Sequence, residues 1–325
     1  MRLLSAGFPP YGQGNFFQSH WQLTQRCNFH CPYCVNRHLR TEGVSMSPEL
    51  MLHALKLISG LDRSHFHFCL SGGEVTLYPH LGEMLSNIAS LFPAGSTVTM
   101  MSNGSASASR MRELVFASPN IVSRFVITVH IGQTNVDRLI DKLHDFTEQE
   151  RARHFSLKIV TPPRDRQGSE IASRLRKAGI RNFEMMPVLD FSTGLMADGY
   201  TAEEMSMFMP ENGKRPWFYF RHLTDNGSSD VTFLEGIDKK LFRYQGMFCS
   251  AGKQSIFLDE LGNVSRGQFC GHMPYSILER NPFEDPAFMG PARCREEHCT
   301  CIPFTALPKW SDPAYAPVSC DGEDR

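Results

Sequence analysis

The segment Cys27-Asn28-Phe29-His30-Cys31-Pro32-Tyr33-Cys34 is the most informative stretch of this sequence. Its three cysteines have the spacing C-x3-C-x2-C and directly follow a strand predicted over residues 17–24. Three neighbouring thiolates can bind three irons of a cubane cluster and leave the fourth iron without a protein ligand. Thiolates also suit iron–sulfur clusters or zinc better than hard cations. The segment therefore predicts a metal site with one open, catalytic position.

Zinc is the alternative metal for this segment. Structural zinc takes four protein ligands, commonly from two C-x2-C pairs. His30 could supply the fourth, but its flanking cysteines would then lie only one and three residues away. A disulfide is favoured still less, because there are three cysteines here and no secretion signal. The iron–sulfur interpretation is preferred.

Strand and helix patterns alternate over the first two-thirds of the chain. The predicted strands cover residues 17–24, 65–70, 97–101, 124–131, 154–160 and 182–188, and the helices 48–59, 80–92, 108–116, 135–150 and 169–178. This alternation predicts a parallel sheet with right-handed crossovers. Six strands are too few for a closed eight-stranded barrel, so the α/β fold class expected is a partial (β/α)6 TIM-like barrel.

Three motifs follow the first three predicted strands. They are the cysteine segment, Gly72-Gly73-Glu74 and Ser102-Asn103-Gly104. Ligands of parallel sheets bind at the carboxyl ends of the strands. We therefore expect all three motifs on one edge of the barrel, which is called the rim below.

These motifs resemble the signature of the radical S-adenosylmethionine (SAM) superfamily. The resemblance rests on the cysteine spacing after a first strand, on the aromatic Tyr33 before the last cysteine, and on the Gly-Gly-Glu segment one strand–helix unit later. It implies that Cys27, Cys31 and Cys34 hold a four-iron four-sulfur cluster. It also implies that the amino and carboxyl groups of SAM chelate the unique iron.

The same resemblance implies a chemistry and further cofactor-binding residues. One electron, from a donor such as flavodoxin or ferredoxin, cleaves SAM to methionine and a 5′-deoxyadenosyl radical, which abstracts hydrogen from substrate. Gly72, Gly73 and Glu74 would meet the amino group of the methionine moiety, since glycines admit close backbone approach and a carboxylate suits an ammonium. Ser102 and Asn103 would lie near the ribose or carboxylate.

Polar residues alternate with apolar ones along the last three predicted strands. Alternate residues of a barrel strand point to its interior, or lumen. Thr128 and His130 are therefore candidates to line the cofactor, and Lys158 and Glu184 to line the substrate. Exposure to solvent, or an ion pair between Lys158 and Glu184, is the alternative. Cys69 is expected to be a small buried residue without a chemical role.

The second group of cysteines lies near the end of the chain. Cys249 precedes a predicted hairpin over residues 255–265, Cys270 follows it, and Cys294, Cys299 and Cys301 come later. This layout resembles the auxiliary-cluster domain called twitch, or a truncated SPASM domain, although seven residues separate Gly262 from Cys270 where the longer pattern has four.

That second resemblance implies one auxiliary four-iron four-sulfur cluster. Its expected ligands are Cys249, Cys270, Cys299 and Cys301, with Cys294 able to replace either late member. A structural zinc site on the same cysteines is the alternative, and Cys320 is expected to be a bystander. The domains expected are the core at 1–190, a connecting region at 191–248, and the auxiliary domain with the tail at 249–325.

Composition limits the partners. Lys plus Arg total 33 and Asp plus Glu 34, so a formal charge of −1 gives no support to a nucleic-acid partner or a tRNA-modifying role. No stretch approaches the roughly 20 apolar residues of a membrane span, and the amino end lacks a signal-peptide pattern. A cytoplasmic, reducing location is expected, with no membrane partner.

The leading functional hypothesis is hydrogen abstraction from a small molecule or natural-product intermediate, giving oxidation, rearrangement or bond formation. Modification of a ribosomally made peptide is the second hypothesis, and it is favoured less because only 26 residues precede Cys27. A non-enzymatic iron–sulfur or zinc protein is the third, and the intact motifs argue against it.

Overall fold

The structure, a computed structural model, describes residues 2–7, 15–34, 43–190, 195–208, 220–268, 270, 275–299 and 306–316 of the 325. Two cysteines named above, Cys301 and Cys320, lie outside these ranges.

The larger part of the fold is a partial barrel in which strands and helices alternate along the chain. Its elements are β2 (Phe16–Thr24), α1 (Pro48–Ser59), β3 (His65–Gly72), α2 (Leu81–Leu91), β4 (Thr97–Ser102), α3 (Ala108–Val115), β5 (Val122–His130), α4 (Val136–His144), α5 (Glu148–His154), β6 (Phe155–Thr161), α6 (Gln167–Lys177) and β7 (Phe183–Pro187). All neighbouring pairs from β2 to β7 are parallel. The predicted α/β partial barrel is confirmed.

Local capping signals set where the helices begin. Ser47 accepts a hydrogen bond from Leu50 N at 3.2 Å, and Pro48 opens α1 as the sequence predicts. The single helix predicted over 135–150 is wrong, because α4 ends at His144 and α5 begins at Glu148. Thr147 and Glu150 form a reciprocal capping box that starts the second helix.

One face of the barrel strands packs against the helices. Phe17, Trp21 and Leu23 of β2 are buried in the same apolar core as the β5 residues Phe125, Ile127 and Val129, which are all odd-numbered. Because side chains alternate across a strand, the even-numbered residues lie on the opposite, interior face. The apolar pattern therefore orients the polar residues that line the lumen.

The remaining strands form a second sheet, an extension of the first, and a separate two-stranded sheet of β8 and β9. They are β1 (Leu3–Gly7), β8 (Leu189–Asp190), β9 (Leu195–Met196), β10 (Phe220–Thr224), β11 (Gly227–Val231), β12 (Phe248–Cys249), β13 (Ser255–Leu258), β14 (Asn263–Ser265), β15 (Tyr275–Ser276), β16 (Ala292–Arg293) and β17 (Lys309–Trp310). Three further helices are α7 (Ala202–Phe208), α8 (Phe233–Asp238) and α9 (Pro286–Met289).

The second sheet joins both ends of the chain, in the order β11-β10-β1-β17-β12-β16. Near the carboxyl end, β17 pairs with both β1 and β12. The predicted hairpin is confirmed as β13 and β14, and β13 pairs in parallel with β2, so the barrel sheet has nine strands. The predicted domain boundaries at residues 190 and 248 stay a prediction. Each of the two large sheets combines strands from more than one of these predicted domains.

Candidate active site

Cys27, Cys31 and Cys34 lie in one loop beyond the carboxyl end of β2. A turn joins the last two, with Cys34 N donating to Cys31 O at 3.2 Å. Cys31 is buried, and Cys27 and Cys34 are half-buried. Three soft thiolates on one short loop at the rim match the donor set of a cubane cluster with one open iron. The residues present therefore fit the group that the sequence predicts.

Gly72 and Gly73 pack directly on the backbone that leads into this loop. Gly73 N donates to Thr24 O at 2.6 Å. A Cβ atom on Gly72 would meet Thr24 O at 2.3 Å, and one on Gly73 would meet Arg26 O at 2.1 Å. The two glycines are thus required by close backbone contact with the residues just before Cys27.

Glu74 is fully buried and joins two loops of the rim. Its Oε1 accepts hydrogen bonds from the hydroxyls of Thr76 at 2.6 Å and Ser102 at 2.7 Å. Its Oε2 accepts from Asn103 N at 2.6 Å. The carboxylate therefore fixes the loop after β4 against the loop after β3, and its contact with an ammonium stays a prediction.

Asn103 reaches from the β4 loop to the cysteine loop. Its side-chain amide donates to Asn28 Oδ1 at 2.9 Å and lies 3.9 Å from Cys27 Sγ. An amide donor toward a ligating sulfur is one of the contacts through which proteins tune iron–sulfur clusters. The structure places Asn103 beside the first cysteine, and its contact with SAM stays a prediction.

Lys142 of α4 braces the same loop, and the sequence analysis missed it. Its Nζ donates to the carbonyl oxygens of Gly104 at 2.7 Å and Ala106 at 2.9 Å. Burial lowers the pKa of the Lys142 ammonium. A lysine in the last turn of a helix carries no local signal for such a contact.

Tyr33 and His130 are in contact at the rim. The Tyr33 hydroxyl lies 3.1 Å from His130 Nδ1, and the two rings stack with centroids 5.8 Å apart. Phe29 packs edge-on against the same imidazole at 6.1 Å. Burial, and then the charges of Cys31 and Cys34, raise the pKa of Tyr33, so the phenol stays protonated. Two predicted cofactor-binding residues thus form one aromatic surface beside the cysteine loop.

The interior face of the barrel is polar on more strands than the sequence analysis proposed. By the alternation above, its polar residues are Gln18, His20 and Gln22 on β2; His67, Cys69 and Ser71 on β3; Thr99 on β4; Arg124, Thr128 and His130 on β5; Ser156 and Lys158 on β6; and Glu184 on β7. The alternation within residues 17–24 and 65–71 was the signal that could have revealed the first two strands.

Two buried histidines of this face are neutral hydrogen-bonding groups. His20 Nε2 lies 2.8 Å from Ser71 Oγ, and burial lowers the pKa of His20 to about 4. His67 Nδ1 lies 2.7 Å from Thr97 Oγ1, and its pKa is lowered to about 3 by burial and then by the charge of Arg124. Neither imidazole carries a proton charge near neutral pH.

Lys158 and Glu184 form an ion pair between neighbouring strands, with Nζ and Oε1 3.3 Å apart. This agrees with the alternative weighed for them, and both side chains remain partly exposed on the interior face. Arg124 donates from Nε to Thr99 Oγ1 at 2.9 Å on the same face. The lumen therefore combines charged and neutral hydrogen-bonding groups.

Glu260, in the turn of the β13–β14 hairpin, also reaches the cysteine loop. It is 5% exposed and accepts hydrogen bonds from Gln22 Nε2 at 2.8 Å and from Gln25 Nε2. Gln25 stands two residues before Cys27. The carboxyl-terminal hairpin thus supports the approach to the first cysteine, a contact that the sequence analysis missed.

Cys249, Cys270 and Cys294 line one cavity, and Cys294 and Cys299 pack against the same apolar cluster. Burial raises the pKa of Cys270, and the charges of Cys299, Cys249 and Cys294 raise it further. Burial likewise raises the pKa of the Cys294 thiol to about 11, with Cys299 and Cys249 adding to the effect. Cys301 lies outside the described residues, so the group that the structure shows contains Cys294.

The described ranges lack a compact mononuclear metal site and a membrane-spanning helix. Within them, no three His, Cys, Asp or Glu side chains stand close enough to hold one metal ion. No helix in those ranges has the length and apolarity needed to cross a bilayer.

Comparison with protein families gives one match. The model described as the Radical SAM superfamily matches residues 21–195, which contain the cysteine loop, the Gly-Gly-Glu segment and strands β3–β7. No curated protein matches the chain.

Solved structures with a similar fold include three AdoMet-bound proteins. BtrN in complex with AdoMet and 2-DOIA has 14% identity and a TM-score of 0.50, covering 84% of each chain. The protein anSMEcpe with bound AdoMet has 15% identity and a TM-score of 0.53, covering 82% of this chain and 76% of that one. SuiB of Streptococcus suis bound to S-adenosylmethionine has 13% identity and a TM-score of 0.53, covering 87% and 69%. At these identities the likeness shows the fold.

Proposed function

The chain belongs to the Radical SAM superfamily, and from this premise we propose that it is an enzyme that abstracts hydrogen from a small polar molecule. The family uses a four-iron four-sulfur cluster and SAM. When bound, they supply a carbon radical that takes a hydrogen atom from substrate. The reaction that follows would be an oxidation, a rearrangement or a bond formation.

In this proposal the rim residues hold the cofactors. Cys27, Cys31 and Cys34 bind three irons, and Tyr33 with His130 offers an aromatic surface beside them. Gly72 and Gly73 fix the backbone that leads into the cysteine loop, and Glu74 holds the next loop against it. The protein's part is thus to orient the reactants and to exclude water.

One observation carries the choice of a small polar substrate. The interior face of the barrel presents hydrogen-bonding side chains on all six parallel strands, below the cysteine loop. The Lys158–Glu184 pair supplies a charged hydrogen-bond donor and a charged acceptor, and the His20–Ser71 pair supplies neutral ones. Such a lining suits a compact molecule with several hydroxyl, amino or carboxyl groups better than an apolar one.

The similar structures support two kinds of substrate. BtrN was solved with 2-DOIA, and the aligned region covers 84% of the BtrN chain. Peptide modification remains the second candidate, because anSMEcpe was solved with the Cp18Cys peptide and SuiB with its precursor peptide SuiA. The chain covers 66% of the peptide-bound SuiB, and the choice between the two candidates rests on the polar lining of the barrel.

The test is cofactor cleavage under strictly anaerobic conditions. The reconstituted protein with SAM and dithionite, or with reduced flavodoxin or ferredoxin as the proposed donor, is expected to form 5′-deoxyadenosine. Deuterated candidate substrates, small polyols and amino sugars against short peptides, should transfer deuterium into that product. Formation no faster than in a chain lacking the three cysteines would refute the enzyme, and transfer from peptides alone would favour the second candidate.

We also propose an auxiliary four-iron four-sulfur cluster on Cys249, Cys270, Cys294 and Cys299, with Cys301 as the rival for a late position. Their mutual proximity supports it. Such a cluster could take electrons after hydrogen abstraction, or bind substrate through an open iron.

Replacing Cys249 and Cys270 together with alanine is expected to remove one cluster, or about four irons per chain. Iron and sulfide analysis after reconstitution measures this, and separate Cys294→Ala and Cys301→Ala chains identify the late ligands. Cys69→Ala, which removes a buried thiol from the barrel, serves as the matched control and should keep all the iron. Full iron retention by the double variant would assign the cluster to other residues.

A further inference from the structure

A buried lysine stands beside the auxiliary cysteines in the second sheet. Strand register pairs Lys309 of β17 with Cys249 of β12, and Lys309 also with Ala6 of β1. Residues directly opposite each other in antiparallel strands project to the same face, with Cβ atoms about 5 Å apart. The Lys309 and Cys249 side chains therefore share one face of the sheet.

The same face continues beyond this pair. Ala6 pairs with His222, and Cys249 pairs with Ala292, which precedes Cys294 by two residues. The two alanines leave room around the longer side chains. Phe248 and Trp310 stack at 6.2 Å, and as the neighbours of Cys249 and Lys309 they lie on the opposite face.

Lys309 is 1% exposed, and its ammonium group contacts a backbone carbonyl and an aromatic ring. Its Nζ donates to Leu307 O at 2.9 Å and lies 4.8 Å from the centre of the Tyr244 ring. Tyr244 in turn has its hydroxyl 3.2 Å from His222 Nε2. Lys309 lies near enough to Cys270 and Cys294 for its charge to oppose, in small part, the effect of burial that raises the pKa of both thiols.

A second buried cation lies on another side of the same cysteines. Arg266 is 5% exposed and donates to Phe288 O at 2.8 Å and to Cys249 O at 3.4 Å. It lines one cavity with Cys249, Cys270 and Cys294. Arg266 holds the backbone carbonyls of two distant segments as well as a charge, so its replacement would also disturb the fold, and Lys309 is the residue to test.

We propose that Lys309 is the fixed positive charge that raises the reduction potential of the auxiliary iron–sulfur cluster. This inference rests on the proposed auxiliary site. A cubane with four thiolates is negatively charged, and reduction adds one more electron without making or breaking a bond in the protein. A nearby cation in a water-poor site stabilises the reduced state more than the oxidised one.

The test is a redox titration of a full-length chain in which Cys27, Cys31 and Cys34 are alanine, so that only the auxiliary cluster gives an electron paramagnetic resonance signal. Dithionite supplies the electron. In this background Lys309→Met is compared with Lys309→Arg, which keeps the charge. Lys239→Met removes a lysine charge from an exposed position of the same unit and is the matched control.

Lys309→Met is expected to lower the ratio of reduced to oxidised cluster, at a fixed potential, by about tenfold or more. For one electron this equals a midpoint about 59 mV more negative. Lys309→Arg should stay within about twofold of the parent, and Lys239→Met should not change the ratio, because water screens its charge.

Several outcomes separate charge from shape. The inference is overturned if the Lys309→Met variant has the same midpoint potential as the parent. It is also overturned if Lys309→Arg shifts the potential as far as Lys309→Met, or if neither variant holds the cluster. Loss of the cluster from the Met variant, with retention by Arg, supports it. A parent background without any iron would instead overturn the auxiliary site itself.

Discussion

A chain in which Cys27, Cys31 and Cys34 are all alanine is expected to form no 5′-deoxyadenosine and to keep about half of its iron. Two cubanes with four irons each give about eight irons per chain, and the substitution removes one of them. The reason is local: the three thiolates lie on one loop, and the triple substitution leaves no sulfur ligand in it. Iron, sulfide and product analysis after anaerobic reconstitution measures both effects.

Cys69→Ala is the control for this experiment, because it removes a thiol that is buried on the interior face of β3. It should retain the iron of both clusters. If the triple variant kept its full iron and sulfide, the first cluster would have to be assigned to other residues.

Gly73→Ala is expected to disturb the active site from the neighbouring strand. The new Cβ would stand 2.1 Å from Arg26 O and 2.5 Å from its carbonyl carbon, both of them backbone atoms that cannot move alone. Overpacking of this kind costs about 3 kcal/mol in the free energy of unfolding. Because Arg26 precedes Cys27, the displacement should also reduce iron binding at the first site.

Gly82→Ala is the matched substitution. Gly82 lies in α2, and the nearest atom to its added Cβ is a Glu113 carboxylate oxygen at 3.9 Å. Alanine there should stabilise the chain by about 1 kcal/mol, because glycine is the poorer helix former. Urea denaturation of the two apo variants and their iron content after reconstitution provide the comparison. Equal stability of both variants would contradict the packing role assigned to Gly73.

The parts of the fold that sequence reasoning predicted have local signals. The alternation of polar and apolar residues in β5 and the capping residue of α1 each depend on a few neighbouring positions. Both elements were therefore predicted close to their observed bounds. The division between α4 and α5 was missed, although Thr147 and Glu150 carry the spacing of a capping box. Strands β1 and β17 were also missed, because their pairing joins residues about 300 positions apart, a separation that no local pattern records.

The distinction between local sequence signals and contacts across the fold applies to the candidate site as well. The cysteine loop could be predicted because its chemistry depends on spacing alone. Glu260 and Lys142 could not, since each contacts the rim from a distant part of the chain. Glu74 illustrates the intermediate case: its position was predicted, but its hydrogen bonds to Ser102 and Asn103 follow only from the fold.

The parallel pairing of β13 with β2 has a consequence for how the chain reaches its native state. During synthesis β2 emerges early, yet its second neighbour is made only about 230 residues later. Until then β2 is an open edge, with unpaired backbone groups that invite association with other chains. The nascent barrel therefore depends on its last quarter for protection, and we expect premature termination before residue 255 to yield aggregation rather than a stable fragment.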